Sequence, residues 1–209
     1  MKLQLALDML SSSKALDIIE ETIEFIDIIE VGTPLLKYKG ISIVKKIKRA
    51  FPQKELLVDL KSMDVGEYEA DFAFEAGADY VTVLGVADKG TIDGAINSAK
   101  RFNKSCVIDL MNVKDKGSLT KEFTQDGVFV AVHTGIDQQA KGLTPLKDLK
   151  ELSTLNSPIF VAGGINLDSI DSVIEHKPYS IVVGGAICNS KNPAEVAQKI
   201  KEKISKASL

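Results

Sequence analysis

The chain has 209 residues, 44% of them hydrophobic, which suits one large domain with a sizeable buried core. Its net charge of −3 arises from 26 basic and 29 acidic residues without a basic block, so nucleic acid is not an expected partner. The two cysteines form no CxxC pair, and no apolar stretch approaches the roughly 18 residues of a membrane span. We therefore expect a soluble protein of the reducing cytoplasm with no membrane partner.

Eight short aliphatic runs follow one another along the chain, and each ends at a polar residue or a glycine. In chain order they are LQLALD, IDIIEVG, ELLVDLK, DYVTVLG, SCVIDLM, VFVAVHTG, PIFVAGG and SIVVGG. Hydrophobicity is continuous within each run rather than alternating, which is typical of strands that are covered on both faces in a parallel sheet.

Amphipathic segments with helix signals separate the runs, whose ends lie 21 to 30 residues apart. Pro34 opens LLKYKGISIVKKIKRAF, and later segments include DVGEYEADFAFEAGA and NPAEVAQKIKEKISKA. This spacing corresponds to one strand plus one helix. Eight such units predict an α/β fold, a closed (β/α)8 TIM barrel forming a single domain over residues 1–209, with an open doubly wound sheet as the alternative.

In a barrel, the polar ends of the runs would meet at the C-terminal rim, where active sites of this fold lie. Asp8, Glu30 and Asp59 would form an oxygen-rich cluster there that suits a hard cation such as Mg²⁺. Like charges held together are unfavourable unless a cation offsets them, which favours a metal site. The alternative is a set of carboxylates that pair with Lys61 or cap helices.

Two glycine pairs follow the last two runs, at the position where TIM barrels often bind phosphate. Gly163–Gly164 and Gly184–Gly185 each precede a turn or helix that can present free backbone N–H groups. They predict a site for a small phosphorylated metabolite. A pair of tight turns is the alternative.

Lys61 follows Asp59 by two residues, so the two side chains should share one face of the third strand. With Asp59 and Asp64 expected beside it, Lys61 should stay protonated. A Schiff-base lysine needs a lowered pKa, so we expect instead a fixed positive charge that stabilises an enolate or donates a proton. A structural ion pair is the alternative.

The two histidines are expected at opposite ends of the barrel. His133 ends the sixth run at the rim and suits proton transfer, whereas His176 precedes the eighth run and is interpreted as a surface or packing residue. Asp109 also ends a run, and its role stays open. Asp64 and Glu67 have the spacing of a helix capping box.

Several motifs together resemble the orotidine monophosphate decarboxylase suprafamily almost from end to end. They are LALD at 5–8, IIEVGTP at 28–34, DLKSMD at 59–64, VHTGID at 132–137, VAGGI at 161–165 and VVGGAI at 182–187. The D-x-K-x-x-D motif with the Glu-Val-Gly-Thr-Pro segment is the most specific of these. The resemblance implies a Mg²⁺-dependent aldol condensation of D-ribulose 5-phosphate with formaldehyde, or its reverse.

The resemblance also implies roles for individual residues. Glu30 and Asp59 match metal ligands, Asp8 and Lys61 match substrate-pocket groups, and His133 matches a proton-transfer histidine. The glycine pairs match the phosphate site. Asp64 matches an aspartate that reaches across a two-fold interface into the neighbouring active site, which implies a homodimer with shared sites.

Three other functions remain as alternatives. A sister activity, decarboxylation of 3-keto-L-gulonate 6-phosphate, is disfavoured because Thr134, Ile136 and Gly185 stand in segments where that family carries arginines. A sugar-phosphate epimerase or isomerase would not need the D-x-K-x-x-D cluster. A non-catalytic sugar-phosphate sensor would have no need of Glu30, Asp59 and His133 together.

Overall fold

Eight parallel strands close into a barrel in chain order, and the first strand pairs with both the second and the eighth. A computed structural model describes residues 1–155 and 157–207, so residues 156, 208 and 209 of the predicted domain lie outside the described part. The predicted TIM barrel is confirmed, and each predicted run overlaps one strand. The strands are β1 Lys2–Leu7, β2 Ile28–Val31, β3 Glu55–Ser62, β4 Tyr80–Leu84, β5 Ser105–Asp109, β6 Val128–His133, β7 Ile159–Ala162 and β8 Ser180–Val183.

Helices follow every strand and cover the outside of the barrel. They are α1 Ser12–Thr22, α2 Thr33–Lys39, α3 Ser42–Ala50, α4 Gly66–Glu75, α5 Lys89–Phe102, α6 Lys116–Phe123, α7 Ile136–Gln139, α8 Leu146–Leu152, α9 Ile170–Ile174, α10 Gly185–Cys188 and α11 Pro193–Lys206. Within the described ranges, no helix combines the length and hydrophobicity needed to cross a membrane.

The segment that Pro34 opens forms two helices rather than one. Gly40 has φ 67° and ends α2, and α3 begins two residues later. A left-handed residue stops the regular hydrogen-bond ladder, and glycine adopts that conformation without a steric penalty. The apolar pattern continues across Gly40, which is why the pattern alone does not reveal the break.

The barrel interior is filled by one apolar side chain from each strand. These eight residues are Ala6, Ile28, Leu57, Tyr80, Val107, Ala131, Phe160 and Val182. A larger apolar core lies between the strands and the helices and contains the alternate strand residues. Inward-facing residues beyond this apolar cluster lie at the C-terminal rim, where active sites of this fold are found.

Candidate active site

Six polar side chains form a layer directly above the apolar interior, each two residues beyond the interior residue of its own strand. Because side chains alternate along a strand, residues two apart share the inward face, and the second lies nearer the C-terminal rim. Strands β1 to β6 or the residue after them contribute one member each. This polar layer consists of Asp8, Glu30, Asp59, Thr82, Asp109 and His133.

Asp59 is buried and receives hydrogen bonds from three neighbours. The Thr33 hydroxyl donates to Oδ2 over 2.7 Å, the Thr82 hydroxyl to Oδ1 over 2.7 Å, and Lys61 Nζ to Oδ2 over 2.5 Å. Asp59 and Lys61 therefore meet as the spacing of the motif suggests. The three donors come from α2, β4 and β3, so Asp59 is fixed from several directions.

Lys61 makes its second ion pair with Asp109, whose Oδ2 lies 3.4 Å from Nζ. The expectation that Asp64 would flank this lysine is wrong, because Asp109 takes that place. Burial disfavours the ammonium, but the negative charges of Asp59 and Asp109 outweigh burial and raise the pKa of Lys61. The amine is therefore held in its charged form.

His133 is oriented by Asp109, the residue whose role the sequence left open. Its Nδ1 lies 2.7 Å from Asp109 Oδ2, and the other oxygen of Asp109 accepts the N–H of Met111 over 2.9 Å. Burial lowers the pKa of His133, yet the hydrogen bond and charge of Asp109 outweigh it, so the pKa lies above its usual 6.5. With Nδ1 engaged, Nε2 is the nitrogen left for proton transfer.

Glu30 is a buried carboxylate with an unfavourable charge. Its burial, followed by the charges of Asp59 and Asp8, raises the pKa of Glu30 to about 8. Gln4 Nε2 donates to Oε2 over 2.5 Å, and Ser180 Oγ donates to Gln4 Oε1 over 3.1 Å. Glu30 is thus held in one orientation, and the positive charge of Lys61 only partly offsets the effects that disfavour its ionised form.

Asp8 lies between the ends of β2 and β8. A Cβ atom on Gly32 would lie 2.1 Å from Asp8 Oδ1, and one on Gly184 would lie 3.7 Å from Oδ2. Glycine at position 32 therefore makes room for this carboxylate. Burial and the charge of Asp59 raise the pKa of Asp8, which shows that it belongs to the same electrostatic group.

Glu30 and Asp59 are the groups that could hold a metal ion. In residues 1–155 and 157–207, no three His, Cys, Asp or Glu side chains are grouped so that they could hold an ion by themselves. Mg²⁺ commonly binds one or two carboxylates and completes its shell with waters and substrate oxygens. Burial and the neighbouring carboxylates disfavour ionised Glu30, and a divalent cation would offset that effect, so the two carboxylates fit Mg²⁺.

Both glycine pairs lie at the same rim, after β7 and β8. Gly163 has φ 122°, and a Cβ there would lie 2.5 Å from the Thr134 carbonyl oxygen. Gly184 precedes α10, whose first N–H groups have no partner within the helix. The phosphate site stays a prediction.

Asp64 does not cap α4, so the capping-box interpretation is wrong. The residue before the helix is Val65, which has φ 47° and makes no side-chain cap, and Asp64 Oδ1 accepts the N–H of Val65 over 2.8 Å. Glu67 instead pairs with Arg101 over 2.7 Å. Asp64 is exposed and is not among the groups that contact Lys61 in this subunit.

His176 lies at the opposite end of the barrel, before β8, where it lines a cavity with Lys177 and Tyr179. Its predicted separation from the polar layer is confirmed.

Sequence reasoning missed Thr82, Gln4 and Thr33 as parts of the site. For Thr82 a signal existed, because it is a polar residue between the apolar residues Val81 and Val83 of DYVTVLG. Gln4 interrupts the first run in a similar way. Thr33 offered no such signal, since its position next to Pro34 already had an explanation as a helix start.

Comparison with known proteins places this arrangement in a family. Residues 1–200 match the model of the orotidine 5′-phosphate decarboxylase / HUMPS family. The chain is 44% identical to the 3-hexulose-6-phosphate synthase of Bacillus subtilis (strain 168) over 207 residues, which cover 98% of this chain and 99% of the relative. It is 43% identical to the 3-hexulose-6-phosphate synthase of Mycobacterium gastri, with 98% and 100% covered.

A solved structure agrees with this match. The crystal structure of 3-hexulose-6-phosphate synthase from Salmonella typhimurium superposes with a TM-score of 0.96 at 41% identity, covering 99% of this chain and 100% of that one. The barrel, the polar layer and these similarities lead to one conclusion: the chain belongs to the orotidine 5′-phosphate decarboxylase / HUMPS family.

Proposed function

We propose that the protein is a 3-hexulose-6-phosphate synthase, an aldolase that condenses D-ribulose 5-phosphate with formaldehyde and also catalyses the reverse cleavage. One observation carries the proposal: Asp59, Lys61, Asp109 and His133 form a connected chain of contacts at the rim. These contacts place the positively charged ammonium of Lys61 near the oriented imidazole of His133. The names of the full-length relatives support this reaction.

His133 is the base in this proposal. Its Nε2 removes a proton from the substrate carbon next to the ketone, and the resulting enediolate carbon attacks formaldehyde to form the new carbon–carbon bond. The oxygen of formaldehyde becomes an alkoxide and takes a proton from the imidazolium. Asp109 keeps the imidazole oriented throughout, and no net proton is gained or lost.

Lys61 stabilises the negative charge that develops on the substrate oxygen. Its raised pKa keeps the ammonium charged, so the amine is a poor nucleophile and no Schiff base is needed. Asp8, which lies beside Gly32 and Gly184, is assigned to the substrate hydroxyl groups. The Gly163–Gly164 and Gly184–Gly185 segments are assigned to the phosphate.

Mg²⁺ is the proposed cofactor, held by Glu30 and Asp59. When bound, it supplies Lewis-acid stabilisation of negative charge on substrate oxygens. Treatment with EDTA should abolish condensation, and added Mg²⁺ should restore it. Full activity in metal-free buffer would contradict the metal assignment.

A homodimer with shared active sites is proposed as the working form. Exposed apolar side chains lie close to Asp64 along the chain: Tyr68 is 72% exposed, and Met63 and Val65 are both 55% exposed. Clustered exposed apolar residues usually mark an interaction surface. A second copy that covers this surface would bring its own Asp64 towards the neighbouring rim.

The decisive assay incubates purified protein with ribulose 5-phosphate, Mg²⁺ and formaldehyde and follows the loss of formaldehyde. A parallel reaction with 3-keto-L-gulonate 6-phosphate measures carbon dioxide release. Faster decarboxylation than condensation would favour the sister activity. An epimerase or isomerase would change ribulose 5-phosphate and leave formaldehyde untouched.

A further inference from the structure

Strands β3 and β4 lose their regular register next to the polar layer. Val58 pairs with Val81, and the next pair is Ser62 with Val83. Between these two pairs, β3 therefore advances by four residues and β4 by two. Asp59, Leu60 and Lys61 all lie opposite one β4 residue, Thr82. A bulge of this kind redirects side chains and is common beside active sites.

Lys61 has a backbone conformation that residues with side chains seldom adopt. Its φ is 47°, in the left-handed region, although it lies within a strand. Steric repulsion between Cβ and the backbone disfavours this state, so it persists only where surrounding contacts hold it.

Thr82 supplies contacts that hold this conformation. Its Oγ1 accepts the Lys61 backbone N–H over 2.9 Å and donates to Asp59 Oδ1 over 2.7 Å. A hydroxyl has one donor and two acceptor positions, so both bonds can exist together. Thr82 is only 6% exposed, so water cannot easily replace it. One buried hydroxyl therefore ties the backbone of Lys61 to the carboxylate that its ammonium pairs with.

We propose that Thr82 is a positioning residue that holds Lys61 in its left-handed conformation and thereby directs the ammonium to Asp59 and Asp109. The proposal rests on the proposed aldolase function, because that reaction needs the charge of Lys61 at a defined place. Thr82 itself acts only through Lys61 and Asp59. Without the hydroxyl, the Lys61 N–H loses its acceptor and the backbone can relax towards an extended conformation, which moves the side chain.

The test compares substitutions that differ by one hydroxyl. Thr82→Val keeps the shape of the side chain and removes the hydroxyl, whereas Thr82→Ser keeps the hydroxyl. Thr120→Val is the matched control, because Thr120 is 1% exposed and its hydroxyl has no hydrogen-bond partner among the residues that the structure describes. If Thr82→Val does not fold, Thr82→Ala against Thr82→Ser makes the same comparison.

Two readouts are measured on the full-length protein. Thr82→Val should lower kcat by about tenfold or more, because a misplaced charge no longer meets the developing enediolate, and should change KM for ribulose 5-phosphate by less than about threefold. It should also speed amide hydrogen exchange at Lys61 by about tenfold. Thr82→Ser and Thr120→Val should stay within about threefold of wild type on both readouts.

Wild-type kcat in Thr82→Val would overturn the proposal, and so would a Thr82→Ser variant as impaired as Thr82→Val. Unchanged amide hydrogen exchange at Lys61 in Thr82→Val would also overturn the proposal, since the Thr82 hydroxyl would then not hold the Lys61 N–H. If the wild-type protein consumes no formaldehyde, the proposed function fails, and the exchange comparison alone decides the role of Thr82.

Discussion

Asp109 connects the proposed base, His133, with the proposed fixed cation, Lys61. One of its oxygens contacts both His133 Nδ1 and Lys61 Nζ, at 2.7 and 3.4 Å. Burial would raise the pKa of this carboxyl, but the hydrogen bond and charge of His133 and the charge of Lys61 hold it below its usual value. Asp109 therefore stays ionised, and it can both orient the imidazole and stabilise the imidazolium.

Replacement of His133 by asparagine tests the proposed base directly. His133→Asn keeps a polar side chain but removes the titratable nitrogen, so turnover should fall by ~10²-fold or more. Formaldehyde consumption under saturating substrate measures this. His176→Asn is the matched control, because that histidine lies at the opposite end of the barrel and should leave turnover unchanged. Near-normal condensation by His133→Asn would remove it from the role.

The pH dependence of the reaction should report the Asp109–His133 pair. A histidine whose pKa is raised stays protonated to higher pH, and a protonated imidazole cannot accept a proton. The value of kcat/KM should therefore fall as the pH drops through a pKa above 6.5. Asp109→Asn removes the charge that raises this pKa, so the acid limb should move to lower pH while the maximum rate declines. An acid limb that does not move would assign it to another group.

Residues such as Asp59 and His133 could be placed from the sequence because each ends an aliphatic run at the rim. Asp109 ends a run in the same way, but its function depends on a contact between neighbouring strands that one run does not encode. The spacing of Asp64 and Glu67 was misleading for a related reason. A capping box requires an extended residue before the helix, and Val65 takes the left-handed conformation there instead.

At the scale of elements, the strands were predictable because burial on both faces produces continuous aliphatic runs. Local departures from regular strand geometry could not be predicted in this way. Alternation predicts that Asp59 and Lys61 share one face, but the structure also has a bulge opposite Thr82 and a positive φ at Lys61, which alternation does not predict. Hydrophobic patterns record burial, whereas bulges and left-handed residues depend on hydrogen bonds to the next strand.

The segment after β7 offers a test of the predicted phosphate loop. Gly163→Ala introduces a Cβ 2.5 Å from the Thr134 carbonyl oxygen at φ 122°, so the loop must move. We expect a loss of about 2 kcal/mol or more in unfolding free energy and a higher KM for ribulose 5-phosphate. Chemical denaturation and steady-state kinetics measure the two effects.

Gly40→Ala is the matched control for this substitution. Gly40 also has a positive φ, 67°, but a Cβ there would meet nothing within 4 Å. It should show only the backbone penalty for alanine at this positive φ, about 1–3 kcal/mol, with KM unchanged. An equal KM in Gly163→Ala and wild type would mean that the loop after β7 does not bind the phosphate.

At the scale of the whole molecule, eight repeated units were enough to predict a closed barrel, since parallel strands joined by helices leave few arrangements. The assembly of two barrels is a different matter. Periodicity along one chain describes contacts within that chain, and the exposed residues Met9, Met63 and Tyr68 do not reveal by themselves what covers them. The dimer must therefore be tested through the function of a shared site.

Mixed dimers provide that test. Asp64→Asn and Lys61→Ala should each be inactive alone if every site needs Lys61 from one subunit and Asp64 from the other. A hybrid of the two variants then contains one site that lacks both groups and one that retains both. Random pairing of equal amounts makes half of the dimers hybrids, so about a quarter of wild-type activity should return. Co-expression followed by the formaldehyde assay measures it.

The outcome separates shared sites from self-contained ones. If each active site used only its own subunit's Asp64, both sites of every hybrid would lack one essential group, and activity would stay at the level of the separate variants. Each variant alone, assayed at the same total protein concentration, is the control. Recovered activity would therefore show that Asp64 acts across the interface. This agrees with the structure of one subunit, in which Asp64 is exposed and Asp109 lies beside Lys61.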